Sequence, residues 1–371
     1  MNKRKQFIDY VSTGGQAFCS PQIGGGAGFD TKLTGKEWIT ETSLEDTLAA
    51  VERFDMVPLI NVGLCDLGDG NPDLRWDETV EVKGNRVERD YQLKTPQGTL
   101  HRKTVEEKFA PPIMVKYPVE GEPDLKTLEY YLERALEGDF SIVADFTRDI
   151  SRRVGDAGAL CIQWAVQPYE LLCFPNTVNT VMLAHDCPSL FRKLMEQIVL
   201  LDEKLLRAVA EGGADFIFLG GPGVEMISPK YYEDFIIPYS QRVTAMAHGC
   251  GLKVYSHICS PIEPFLTMGF YNRMGIDLFE TLSPPPVGNI SSLTDALEKI
   301  DPAICTRGNL GLDVLLNSTP EIVRQKTLEI MEATRNRKHI VAASDYLFYQ
   351  IPEENVRAMV DAVRGIDLTC L

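Results

Sequence analysis

From about residue 140 onward, short apolar runs alternate with longer amphipathic segments, and this alternation constrains the fold more than any other feature of the chain. The runs are ALCIQWAV (159–166), ADFIFLG (214–220), LKVYSHI (252–258), IDLFETL (276–282), AICTRG (303–308) and HIVAAS (339–344). Each has the length of a buried parallel strand and is mostly apolar on both faces. Between them lie helical patterns with recognisable ends. CPSLFRKLMEQIVLLDEKLLRAVAEGG stops on a Gly pair, SPKYYEDFIIPYSQRVTAMAHGCG places Pro229 in a first turn, and STPEIVRQKTLEIMEAT offers Thr319 as N-cap with Pro320 behind it. An earlier helix, SLEDTLAAVERF, and a strand, MVPLINVG (56–63), extend the pattern upstream.

Such alternation predicts an α/β fold, either a (β/α)8 TIM-type barrel or an open doubly wound sheet. The barrel is favoured because no strand is followed by a dinucleotide-binding fingerprint. GGGAGFD (24–30) has Phe29 where a third glycine would stand and no strand before it, so it reads as a flexible N-terminal loop. Seven strands are identified and the eighth is not placed. Residues 78–104 break the pattern: alternating polar and apolar residues, interrupted by Lys-Gly-Asn and Pro-Gln-Gly, predict antiparallel hairpins covering one end of the barrel. The chain is therefore read as one barrel domain over 1–371, with an N-terminal extension over 1–40 and a hairpin insertion over 78–104.

A net charge of −16 argues against nucleic acid and anionic membranes, whose contacts need clustered Lys and Arg. No apolar run approaches the roughly 18 residues of a spanning helix. The N-terminus MNKRKQFIDYVSTGG has early charges but no apolar stretch after them, unlike a signal peptide. Nine scattered cysteines without paired spacing fit a reducing, cytoplasmic setting.

Of five histidines, His257 stands two residues before Cys259 at the end of a predicted strand. Side chains two apart on a strand share a face, and the carboxyl ends of barrel strands are where chemistry is placed. Imidazole and thiolate are both good ligands for zinc, though a hydrogen-bonded His beside a buried Cys is the plainer meaning of the pair. Asp345 begins the segment after the last strand and Glu280 ends another strand, so two carboxylates and the His-x-Cys pair could meet at one cation. A helix cap or turn for Asp345, and a salt bridge for Glu280, are the structural alternatives. His248, His339, His185 and His101 are read as structural or exposed, and Cys305 as core.

Beyond this reading of single residues, the chain resembles the uroporphyrinogen decarboxylase superfamily over about residues 40–365. GGADFIFLGGPGVEMISPKYYEDFIIPY, ICTRGNL, IPEENVRAMVDAV, LKTPQGTL and VKYPVEGEPDLKTLEYYL carry the resemblance. Authentic decarboxylases have an N-terminal Arg-Gln-Ala-Gly-Arg-Tyr segment whose arginines hold porphyrinogen carboxylates; here the region runs CSPQIGGGAGFDTKL. The chain is more similar to the zinc-dependent methyltransferases that work with corrinoid proteins. That resemblance implies a (β/α)8 barrel, zinc or another divalent metal on His257, Cys259 and Asp345, and Asp345 in place of the family's third Cys. It further implies a methyl group moved between a corrinoid on a separate partner protein and a thiol or methylated small molecule. Glu280 and Asp345 are the catalytic candidates, and Glu225, Asn309 and Tyr346 those for the substrate pocket. A metal-free decarboxylase and a decayed binding protein are the rival readings.

Overall fold

The structure is a computed structural model that describes residues 2–164, 177–221 and 227–365. Its strands in chain order are β1 (Leu59–Gly63), β2 (Asp77–Lys83), β3 (Arg86–Thr95), β4 (Gly98–Glu107), β5 (Ile113–Lys116), β6 (Ala159–Gln163), β7 (Phe216–Phe218), β8 (Lys253–His257), β9 (Leu278–Thr281), β10 (Cys305–Leu310) and β11 (His339–Ala343). Seven of them pair in parallel in the order β1-β6-β7-β8-β9-β10-β11, as the alternating runs predict, and form the wall of a TIM-type barrel. At the free edge of β11 the missing neighbour is short. Residues 18–20 of the N-terminal extension make one parallel bridge, Cys19 to Val341, with the Ser20 N–H on the Val341 carbonyl at 2.9 Å.

Period-two alternation divides each strand between two environments. One set of side chains, including Ile60, Ile162, Ile217, Val254, Phe279 and Val341, packs against the surrounding helices in the larger core. The other set points inward. Its lower layer is apolar, built from Leu59, Ala159, Cys161, Phe216, Tyr255, Leu278, Cys305 and Ile340, and is packed against Phe7, Tyr10 and Val11 of the helix Lys3–Thr13. The extension therefore plugs the amino-terminal end of the barrel. One step further along β1, β6, β8, β9 and β10 the same inward face carries Asn61, Gln163, His257, Glu280 and Arg307. The apolar floor with a polar layer above it directs chemistry to the carboxyl end.

The remaining strands form the predicted insertion, a four-stranded antiparallel sheet in the order β2-β3-β4-β5. Two-residue turns, Gly84-Asn85 and Pro96-Gln97, close its hairpins. It runs wider than 78–104 because β5 joins through a register shift at Lys103 and Thr104. Leu93 and Leu100, opposite each other on β3 and β4, are buried on one face, whereas β2 is exposed throughout.

The helix ends follow their sequences. Ser43 and Asp46 form a reciprocal capping box ahead of Leu44–Arg53, and Ser228 accepts from the Tyr231 N–H. The segment after Ser228 is not one regular helix. Tyr232–Ile236 is a π turn leading into Ile237–Gly249, with the Ile237 N–H on the Tyr232 carbonyl, because Pro238 has no N–H to continue the α pattern.

His339 illustrates a histidine used for structure. Its Nε2 meets the Gly308 carbonyl and its Nδ1 meets the Thr306 hydroxyl, both at 2.8 Å, an arrangement that suits the neutral ring. Burial pushes its pKa down to about 4. The unfolded chain binds a proton near pH 6.5 that the folded ring refuses, so this contribution to stability is complete above that pH and is lost as pH falls toward 4. We expect urea midpoints to drop over this window, by on the order of 3 kcal/mol from this group, and the slope to flatten in His339→Gln.

Candidate metal centre

The register of three adjacent strands builds the centre of the site. Glu280 of β9 lies opposite His257 on β8 and opposite Arg307 on β10, and all three share the inward face. The Nδ1–H of His257 donates to Glu280 Oε1 at 2.6 Å, and the Tyr255 hydroxyl donates to the same oxygen at 2.6 Å. Arg307 Nε holds the other oxygen, Oε2, in a buried contact: Glu280 is 0% and Arg307 1% exposed. Burial opposes ionisation of Glu280, but the Arg307 and His257 charges overcome it and hold the carboxyl down at about 2. Arg307 is correspondingly held above its usual range. The pair is a charge-assisted bond whose two members depend on each other.

With Nδ1 committed to Glu280, the other ring nitrogen faces the mouth. His257 Nε2 lies 3.2 Å from Asp345 Oδ1, and one ligand atom each of His257, Cys259 and Asp345 falls within 4.8 Å of the other two. Cys259 stands just past the end of β8 and Asp345 just past β11. Burial works against a charged imidazole here, yet hydrogen bonds toward Asp345, Cys259 and Glu280 keep its pKa well above the usual value. One nitrogen, one sulfur and one carboxylate, with a second carboxylate behind the histidine, make the donor set and support of a three-ligand metal centre with an open position. The residues present fit a divalent metal, and Asp345 makes the set harder than one with two sulfurs.

The candidates read from sequence fall into three groups. His257, Cys259, Asp345 and Tyr346 are brought together; the Tyr346 ring lies 5.0 Å from that of His257. Glu280 is adjacent but sits behind His257 and is not part of the three-residue cluster. Asn309 turns away, donating to the Leu282 carbonyl and lining a separate cavity beside Pro284 and Pro285. Glu225 lies outside the described residues.

Several contributors were not singled out from sequence. Asn61 Nδ2 and Gln163 Nε2 donate to the Tyr346 hydroxyl at 3.3 and 3.1 Å, and Tyr255 approaches it at 3.4 Å. Of the glycine-rich segment 24–30, expected as a flexible loop, residues 24–28 are loop and pack over this tyrosine, whereas buried Phe29 and Asp30 open the short helix Phe29–Leu33. At Gly25, φ is +69° and an added Cβ would lie 2.5 Å from Tyr346 Cε1. We expect Gly25→Ala to displace Tyr346 and to cost about 1–3 kcal/mol, read as a lower denaturation midpoint. Asn355, in the IPEENV segment, has a structural role: its amide donates to the Leu315 and Ser318 carbonyls. His248 pairs with Asp277 at 2.8 Å at the end of its helix, and His101 pairs with Asp90 in the insertion.

Comparisons with known proteins agree with this architecture. A family model described as uroporphyrinogen decarboxylase matches residues 105–366. A uroporphyrinogen decarboxylase from Prochlorococcus marinus is 21% identical over 248 residues, covering 66% of this chain and 67% of the relative. One from Syntrophotalea carbinolica is 22% identical over 268 residues, covering 70% and 74%. Among solved structures, a methyltransferase from Methanosarcina mazei superposes with a TM-score of 0.68 over 98% of both chains, at 16% identity, which shows a common fold.

Proposed function

This chain belongs to the uroporphyrinogen decarboxylase family, and from that premise we propose that it is a metal-dependent methyltransferase. It moves a methyl group between a corrinoid protein and a thiol or methylated small molecule. The observation that carries this reading is the convergence of His257, Cys259 and Asp345 at the barrel mouth, with Glu280 fixing the far side of the imidazole.

A divalent metal such as zinc, when bound, would either stabilise a substrate thiol as its thiolate or polarise a methylated heteroatom. The protein's own part is to orient and to exclude water. Arg307 keeps Glu280 ionised, and Glu280 fixes which nitrogen of His257 faces the cluster. Tyr346, pinned by Asn61 and Gln163, walls the site, and its hydroxyl reaches Glu280 through that of Tyr255. None of the five histidines lies in an Asp-x-His-x-x-Gly corrinoid-binding signature, so the corrinoid belongs on a separate protein that docks at the mouth. No helix among the described residues is long and apolar enough to cross a membrane.

The test is methyl exchange with free methylcobalamin against a panel of thiols and methyl donors. We expect transfer that a chelator abolishes and added zinc restores; no transfer with any pair would contradict the reading. The name of the curated relatives favours a second reading, decarboxylation of an organic acid, which expects release of carbon dioxide and indifference to chelator.

A further inference from the structure

A cavity of about 460 Å3 lies beside the metal centre, between the carboxyl ends of β1 and β6 and the covered face of the antiparallel sheet. Gln163 belongs to both: it lines this cavity and donates to the Tyr346 hydroxyl that flanks His257. Most of the wall is apolar or aromatic, including Trp76, Tyr131 and Trp164. Two polar groups in it are unfinished.

The first is Arg102 on β4. Its guanidinium lies over Trp76 at 5.0 Å and over Tyr91 at 4.3 Å, which holds it flat, and its buried Nε has no hydrogen-bond partner among the described residues. The second is Asp202 in the helix Pro188–Glu211, 1% exposed. The Trp164 indole N–H donates to its Oδ1 at 2.9 Å, but buried Oδ2 has no partner among the described residues. Burial pushes this carboxyl well above its usual range, which favours the protonated acid, a form with a hydrogen to donate. A second acid at the wall, Asp66, accepts from the Gly68 N–H.

Buried polar groups without partners are costly, at about 1–3 kcal/mol each, which points to a ligand that completes both. Its charge follows from the wall. Arg102 is a permanent cation with an unused donor, while Trp76, an aromatic face that could hold an alkylammonium, is already covered by Arg102 itself. We propose that this cavity receives the apolar body of a small organic carboxylate, its anionic end on Arg102 and an oxygen acceptor on Asp202. That this molecule is also the methyl-group substrate rests on the methyl-transfer reading above.

Two of the three tryptophans of the chain, Trp76 and Trp164, line the cavity, so intrinsic fluorescence reports binding directly. The probe is 4-methoxybenzoate, compared with the neutral 4-methoxybenzamide and with benzyltrimethylammonium. We expect saturable quenching by the carboxylate, at least about tenfold tighter than by the amide, with the gap lost in Arg102→Met and partly kept in Arg102→Lys. The comparison of ligands on the native protein stands whether or not a variant folds. Equal or tighter binding of the amide or the ammonium, or no saturable binding of the carboxylate, would overturn the inference. His257→Ala separates the two claims: it is expected to lose methyl transfer and keep the quenching. Carboxylate binding without methyl transfer from any donor would leave the anion site standing and remove its role as substrate site. Methyl transfer by a protein that does not bind the carboxylate would do the reverse.

Discussion

Replacing Arg307 with methionine should cost the fold about 3–5 kcal/mol, the largest stability effect expected of any single substitution at the site. Methionine fills a similar volume, so the loss is electrostatic. Glu280, with no exposed surface, would keep bonds from His257 and Tyr255 but lose the cation that holds its carboxyl near 2. Glu280→Gln should be damaging for the converse reason, since it strands a guanidinium that is 1% exposed and already has Nη2 without a partner among the described residues. The double variant Arg307→Met/Glu280→Gln should therefore be less destabilised than the two single effects added together. Urea denaturation of the four proteins measures this cycle. Additive effects would mean that the contact across β9 and β10 is not the buried ion pair described here.

His257→Ala should remove metal binding. The ring supplies the one nitrogen of the cluster and is the point through which Glu280 acts on it. Losing a hydrogen-bonded support behind a ligand typically weakens a metal site by about 10–100-fold, so Glu280→Gln is expected in that range and loss of the ligand itself beyond it. Zinc titration against a competing chelator gives both numbers, and circular dichroism shows whether the barrel is retained. Retained affinity in His257→Ala would place the metal elsewhere.

Much of this organisation can be read from the chain, for identifiable reasons. Buried parallel strands are apolar on both faces, and all seven runs with that signature became barrel strands. The hairpins of the insertion announce themselves by Gly84-Asn85 and Pro96-Gln97 between alternating residues. His257 and Cys259 are visible together because they close one apolar run, although Cys259 lies just past the end of β8. What stays hidden depends on distances between elements. The pairing at the edge of β11 is a single bridge from Cys19, too short to leave a pattern. That Glu280 bonds Arg307 follows from the register of β9 against β10, which hydrophobic runs do not specify. Gly25 is required by the ring of Tyr346, more than 300 positions away. That Asn309 bonds the Leu282 carbonyl and lines a separate cavity also depends on contacts between elements. Arg102 and Asp202 are ordinary residues of a strand and a helix until the fold brings them to one wall.

X-ray absorption at the zinc edge, on protein loaded with one equivalent and handled without chelator, tests the metal centre most directly. One sulfur and at least two lighter nitrogen or oxygen neighbours are expected, with the sulfur signal lost in Cys259→Ser. A spectrum without sulfur, or one unchanged by that substitution, would contradict a metal held by His257, Cys259 and Asp345.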